Sequence, residues 1–119
     1  MGEVLLRTRH SRYGAVQTLY VSGELDIVTG PQLEAALGRA LDGQGGEFHV
    51  DLSGLAFIDA AGAKELLMLH NQVESLGRHL VLVSPGPRVC EVLGMVGLDQ
   101  VLDVRPTPDG RSNSRSAAV

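Results

Sequence analysis

The sequence predicts an α/β domain: a mixed β-sheet with helices packed over it. Three observations point there. Val16 to Ser22 and Phe48 to Leu52 alternate apolar and polar residues, the signature of half-buried strands. The segments that follow them carry apolar stripes at helical spacing. His79 to Ser84 is a continuous apolar run, as expected of a strand covered on both faces. The predicted order is β-β-α-β-α-β-α-β, and 119 residues suit one domain with a single core.

The first strand is expected over Leu5 to His10, with a turn at S-R-Y-G (Ser11 to Gly14). The second, Val16 to Ser22, sets Leu19 and Val21 on one face with Gln17 beside them, so the two form an antiparallel hairpin. G-E-L-D (Gly23 to Asp26) leaves the strand. A helix then starts near Thr29, Gly30 and Pro31, where Thr29 and Gln32 fit a capping box and Pro31 occupies the first turn. Leu33, Ala36, Leu37, Ala40 and Leu41 form its apolar stripe, and Asp42 to Gly46 stop it.

Phe48, Val50 and Leu52 mark the third strand, after which G-L-A-F-I-D leads into a second helix from about Ala60 to Leu76. Leu66, Leu69, Val73 and Leu76 supply its stripe, and Gly77 fits the residue just past the end. After the His79 to Ser84 strand, P-G-P opens a third helix with Val89, Val92, Leu93 and Val96 on one side and Gly97 at its end. Val101 to Val104 is a short last strand. The domain is expected to span residues 1–104, and residues 105–119, polar and turn-rich, to be a disordered tail.

Several function classes are disfavoured. A net charge of −4 and 3% aromatic residues give neither the basic patch nor the stacking platform that nucleic-acid binding uses. No apolar run reaches the ~18–20 residues that cross a bilayer, so no membrane insertion is expected. M-G-E-V-L-L-R lacks the layout of a signal peptide, and E-V-L-L after Gly2 lacks a myristoylation signal. The single Cys90 forms no internal disulfide, and a reduced, cytoplasmic compartment is expected. Cys90 itself, with Val89 and Val92 nearby, is expected to be a buried thiol.

No catalytic set emerges, so no enzyme is expected. His10, His49, His70 and His79 have no metal-ligand spacing, and H-E-x-x-H, G-x-S-x-G, P-loop and G-x-G-x-x-G motifs are absent. G-Q-G-G (Gly43 to Gly46) precedes a strand rather than a helix, so it lacks a phosphate-binding context and no cofactor is implied. Two acids remain at strand–helix junctions, Asp26 and Asp59. Asp59 fits an N-cap and Asp26 a loop or cap residue, and either role is compatible with an exposed binding surface. A phosphoacceptor of the receiver type is disfavoured, because S-R-Y-G replaces the acidic pair after the first strand and Lys64 is the chain's one lysine.

L-Y-V-S-G-E-L-D, V-D-L-S-G-L-A-F-I-D-A-A-G-A and H-L-V-L-V-S-P-G-P-R-V-C-E-V-L-G-M-V-G-L together, over residues 4–104, resemble the STAS domain. More narrowly, they are similar to bacterial anti-sigma factor antagonists. The resemblance implies a STAS-like fold that binds an anti-sigma factor, itself a serine kinase of the histidine-kinase-like ATPase type, and so frees a sigma factor. It implies a partner surface at Asp26, Asp59, Ala60, Ala61, Gly62 and Ala63, on a monomer or weak dimer. In such proteins the turn reads D-S-S-G-L or D-A-S-G-L, and the Ser before Gly is phosphorylated to weaken binding. Here Ala61 holds that position, Gly62 matches the Gly, and Ala63 stands where Leu is usual. Ala60 offers no substitute hydroxyl, and Ser53 and Ser84 are the nearest others to the presumed surface. The second reading is a scaffold or accessory subunit of a stress-signalling complex or lipid-transport system.

Overall fold

A computed structural model describes residues 5–106. Strands β1 (Leu6–Tyr13) and β2 (Val16–Leu25) form a hairpin, followed by helix α1 (Gly30–Ala40), β3 (Glu47–Ile58), α2 (Ala60–Ser75), β4 (His79–Val83), α3 (Pro87–Met95) and β5 (Asp103–Arg105). A 3-10 turn at Leu98–Gln100 precedes β5. The five strands lie in the order β1-β2-β3-β4-β5, with β1 antiparallel to β2 and every later pair parallel. The sheet is therefore mixed, in the element order that the sequence predicts.

The core lies on one face of the sheet. Leu19, Val21, Phe48, Val50, Leu52, Leu80 and Leu82 from the strands join Leu33 and Leu37 of α1, Leu66, Leu69 and Val73 of α2, and Val89 and Leu93 of α3 in a single cluster. Each helix buries one stripe and exposes the rest, as an amphipathic helix on a sheet must. On the opposite face, Glu47 of β3 and Arg105 of β5 are joined across β4 (2.9 Å), and Arg105 also bonds Asp103, which meets His79 at 2.8 Å.

Four boundaries differ from the sequence reading. β1 runs on to Tyr13, because the hairpin closes through Gly14 and Ala15 alone, and Gly14 takes the positive φ that such a tight turn needs. β2 keeps G-E-L, pairing Gly23, Glu24 and Leu25 with β3. β3 is twice interrupted by an extra residue, between Asp51 and Gly54 and between Leu55 and Phe57, so burial shifts from Leu52 to Leu55 and Ile58. These bulges hide the strand from a period-two search. Last, Arg105 belongs to β5, one residue past the expected domain end. The expected tail beyond Pro106 lies outside the described residues.

Two side-chain expectations are also corrected. Cys90 is exposed rather than buried: Val89, Val92 and Leu93 point into the core, and position 90 turns away from them. Partial burial still holds its thiol above the ordinary value, which leaves little thiolate. Thr29 makes no side-chain cap to its helix. Its hydroxyl donates to Glu24 O (2.8 Å) and accepts from the Asp26 amide (3.0 Å), so it is committed to the loop instead.

Candidate functional site

The parallel register places the two junction acids side by side. Leu25 of β2 pairs with Ile58 of β3, and Asp26 and Asp59 are the next residues on each strand. Both therefore lie at the C-terminal edge of the parallel strands, where loops in α/β sheets gather. Asp59 is the N-cap of α2: its Oδ1 accepts from Gly62 N–H at 2.9 Å and its carbonyl from Ala63 N–H at 2.9 Å. Asp26 folds the β2–α1 loop, with Oδ1 accepting from Val28 N–H (2.9 Å) and Thr29 N–H (3.1 Å).

Gly62 fixes the two loops to each other. A Cβ at this residue would lie 2.3 Å from Leu25 O and 2.9 Å from Ile58 Cγ1, so only glycine lets the first turn of α2 rest on the end of β2. The six residues singled out by the sequence thus divide. Ala60 and Ala61 are exposed on the first turn of α2 and Asp59 is half-buried beneath them. Gly62 and Ala63 are buried and set the turn's position without reaching solvent.

Two features of this edge escape the sequence reading, and a third, Ser84, is named there only as a nearby hydroxyl. Ile27 and Val28, 78% and 71% exposed, stand out from the Asp26 loop. Neither fits the strand alternation or the helical stripe, and that misfit is the signal by which they were findable. Phe57, at the end of β3, is also exposed. Ser84 closes the edge at the end of β4 with φ of +56°, its N–H held by Arg105 O at 2.8 Å.

Behind the exposed turn, Glu65 of α2 faces Glu34 of α1. Burial, then the neighbouring Glu34 carboxyl and its charge, push the Glu65 carboxyl up to about 7. Its Oε2 is buried without a partner, and a Cβ at Gly30 would lie 2.9 Å from its Oε1. The carboxylates of Asp26 and Asp59 are used on backbone amides, and Asp26 Oδ1 also lies 3.3 Å from the Thr29 hydroxyl. Among the described residues no group of three or more His, Cys, Asp or Glu could hold a metal ion. None of their helices is long and apolar enough to cross a membrane.

A mixed five-stranded sheet with three helices on one face, and a capped helix start resting on the neighbouring strand end, define a small α/β domain built around an exposed edge. The chain belongs to the STAS domain family: the model described as "Mlab, STAS domain" matches residues 8–104. It is 22% identical over 99 residues to the anti-sigma-B factor antagonist of Listeria monocytogenes, covering 83% of this chain and 86% of that one. Among solved structures, an anti-sigma factor antagonist from Mycobacterium paratuberculosis is 29% identical, with a TM-score of 0.77 over 87% of this chain and 88% of that one. The phosphorylated form of the Bacillus cell fate determinant SpoIIAA shares the fold at 20% identity and a TM-score of 0.60, over 82% and 90% of the two chains.

Proposed function

We propose that this chain is an anti-sigma factor antagonist, acting without catalysis by binding an anti-sigma factor through the edge formed by Asp26 to Val28 and Asp59 to Ala61. The observation that carries the reading is Ala61, exposed on the first turn of a capped α2 directly before the buried Gly62. The turn keeps the placement that a kinase substrate would need and lacks the hydroxyl. The partner is an anti-sigma factor of the histidine-kinase-like ATPase type, met in the cytoplasm by a monomer or weak dimer. Gly62 and Ala63 support the docking turn from below.

A phosphate at position 61 would add about −1.5 to −2 charges beside Asp59, opposed in part by the helix N-terminus at roughly 0.3–1 kcal/mol. Alanine removes both terms, so binding stays permanently available. Purified protein is expected to bind its cognate anti-sigma factor in calorimetry and to take no label from it with ATP. Ala61→Ser is expected to become a substrate, and Ala61→Asp to bind more weakly. Phosphate on any serine of the parent protein would end the idea of an unswitched antagonist. Undiminished binding by Ala61→Asp would move the interface elsewhere.

A further inference from the structure

β1 is the first strand of the sheet, and its outer edge pairs with no strand among the described residues. The hydrogen-bond phase of the hairpin tells which of its backbone groups are free. Glu24 N–H donates to Leu5 O (2.6 Å), and the Leu5–Glu24 pair continues the register that runs from Leu6–Gly23 to Tyr13–Val16. Bonded and non-bonded pairs alternate in an antiparallel ladder. Arg7, Arg9, Ser11 and Tyr13 therefore bond to β2, while Leu6, Thr8, His10 and Arg12 turn their N–H and C=O outward.

Each side of this edge offers something different. Toward α1 a groove of about 210 Å³ is lined by Leu6, Thr8, Gln32, Ala35 and Arg39. It is flanked by a second hollow of about 230 Å³ that reaches Leu19, Ala36 and Ala40. On the face away from the helices, Arg7 and Arg9 stand opposite Ser22 and Tyr20 beside a depression of about 580 Å³. The Arg9 guanidinium lies over the Tyr20 ring, 4.1 Å from its centroid. Arg12, Arg78, Arg88 and Arg105 each have a carboxylate partner. Arg7, Arg9 and Arg39 have none among the described residues, and all three border this one edge. On a chain of net charge −4, Arg7 and Arg9 outnumber the one carboxylate, Asp51, that lines the same depression.

We propose that the outer edge of β1 docks an extended acidic segment of another protein, which adds to the sheet as a sixth strand. Alternation along the added strand puts its acidic side chains against Arg7 and Arg9 and its small apolar side chains into the groove beside α1. The occupant is not a second copy of the same edge, because two β1 strands would face Arg7 and Arg9 with their own counterparts. The site is distinct from the Asp26 and Asp59 loops and does not depend on the anti-sigma factor reading.

The probe is an acetylated peptide of about eight residues alternating Val and Glu, matched to the eight residues of β1 and within the range of natural strands, with a Val–Lys peptide as control. Titrated into isotope-labelled full-length protein, the acidic peptide is expected to shift the amides of Leu6, Thr8, His10 and Arg12 and slow their exchange. The basic peptide is expected to leave them unmoved. Arg7→Glu combined with Arg9→Glu should weaken the acidic peptide about tenfold and admit the basic one. Thr8→Pro removes one outward N–H while leaving the bonds to β2, so it should abolish binding without unfolding the chain. If that variant does not fold, the charge-reversed pair decides alone. The proposal is overturned by an absence of shifts, by shifts confined to the Asp26 and Asp59 loops, or by undiminished binding to a folded Thr8→Pro. Equal affinity for a single-stranded oligonucleotide, marking simple anion attraction, would overturn it too.

Discussion

The two ends of the parallel strands are built on opposite principles. At the N-terminal end the polar groups turn inward. Arg78, 2% exposed, donates to Gln17 Oε1, to Asp42 O (3.0 Å) and to Glu47 O (3.3 Å), and its guanidinium also lies against the Phe48 ring. Gln17, buried as well, donates in turn to Ala40 O at 2.8 Å. One cation thus ties β2, β3 and both α1–β3 loop ends together. At the C-terminal end the carboxylates of Asp26 and Asp59 are used on local amides, and Ile27, Val28, Ala60 and Ala61 are left facing solvent. The first end holds the fold and the second presents a surface.

The largest stability effect should come from the closed end. Arg78→Ala leaves buried carbonyls and the Gln17 amide without their donor, a loss of about 3 kcal/mol. Denaturant titration should show the midpoint falling with the slope unchanged. Where the variant remains folded, anti-sigma factor affinity should match the parent. A change of affinity larger than the change of stability would break the division between the two ends.

Gly62→Ala comes next, and it tests the open end from beneath. The added methyl would meet Leu25 O and Ile58, so α2 must lift off β2 at a cost of about 2 kcal/mol. Because Asp59 to Ala61 move with that turn, partner affinity should fall together with stability. A stable variant with weakened binding would show that the turn's position matters beyond its support of the fold.

Much of this contrast was legible in advance, and the reason is range. Asp59 was readable as a cap because its acceptor bond spans three residues, the core of β2, α1 and α2 followed from periodicity, and that of β4 followed from its unbroken apolar run. Arg78 was invisible, since its partners lie 31 to 61 residues away and nothing near it in sequence marks it as buried. The end of β3 was missed because two bulges break its period. Thr29 was misread because a cap motif and a loop hydrogen bond compete for one hydroxyl, and the loop won. Cys90 was placed by its neighbours' chemistry instead of by the helical phase, which turns it outward.

Glu65 gives a smaller effect with a definite sign. Its folded pKa of about 7 lies above the ordinary 4.5, so within that window the folded protein keeps a proton that the unfolded chain has released. Stability therefore falls as pH rises from about 4.5 to 7 and levels off above. Glu65→Gln removes the decline and should raise stability at about pH 8 by about 1–2 kcal/mol, solvent screening included. His79, raised chiefly by its hydrogen bond to Asp103, contributes below its ordinary value and loses that contribution as pH rises through the raised one. The difference between the parent and Glu65→Gln isolates the glutamate. A parallel pH profile for the two would show that the α1–α2 seam relaxes and hydrates the carboxyl.

The smallest stability effect should come from Ile27→Ser combined with Val28→Ser. Both side chains lie mostly in water, so their removal should change stability by no more than about 0.5 kcal/mol. The Asp26 turn that holds the loop uses backbone amides at residues 28 and 29, which the substitutions keep. Exposed apolar side chains on a preformed loop contribute little to holding this fold, and burial against the partner is the role proposed for them. Anti-sigma factor affinity should therefore drop sharply in calorimetry while the melting curve stays where it was. Unchanged affinity would confine the docking surface to the α2 turn, and a large fall in stability would mean that this end, too, is part of what holds the domain together.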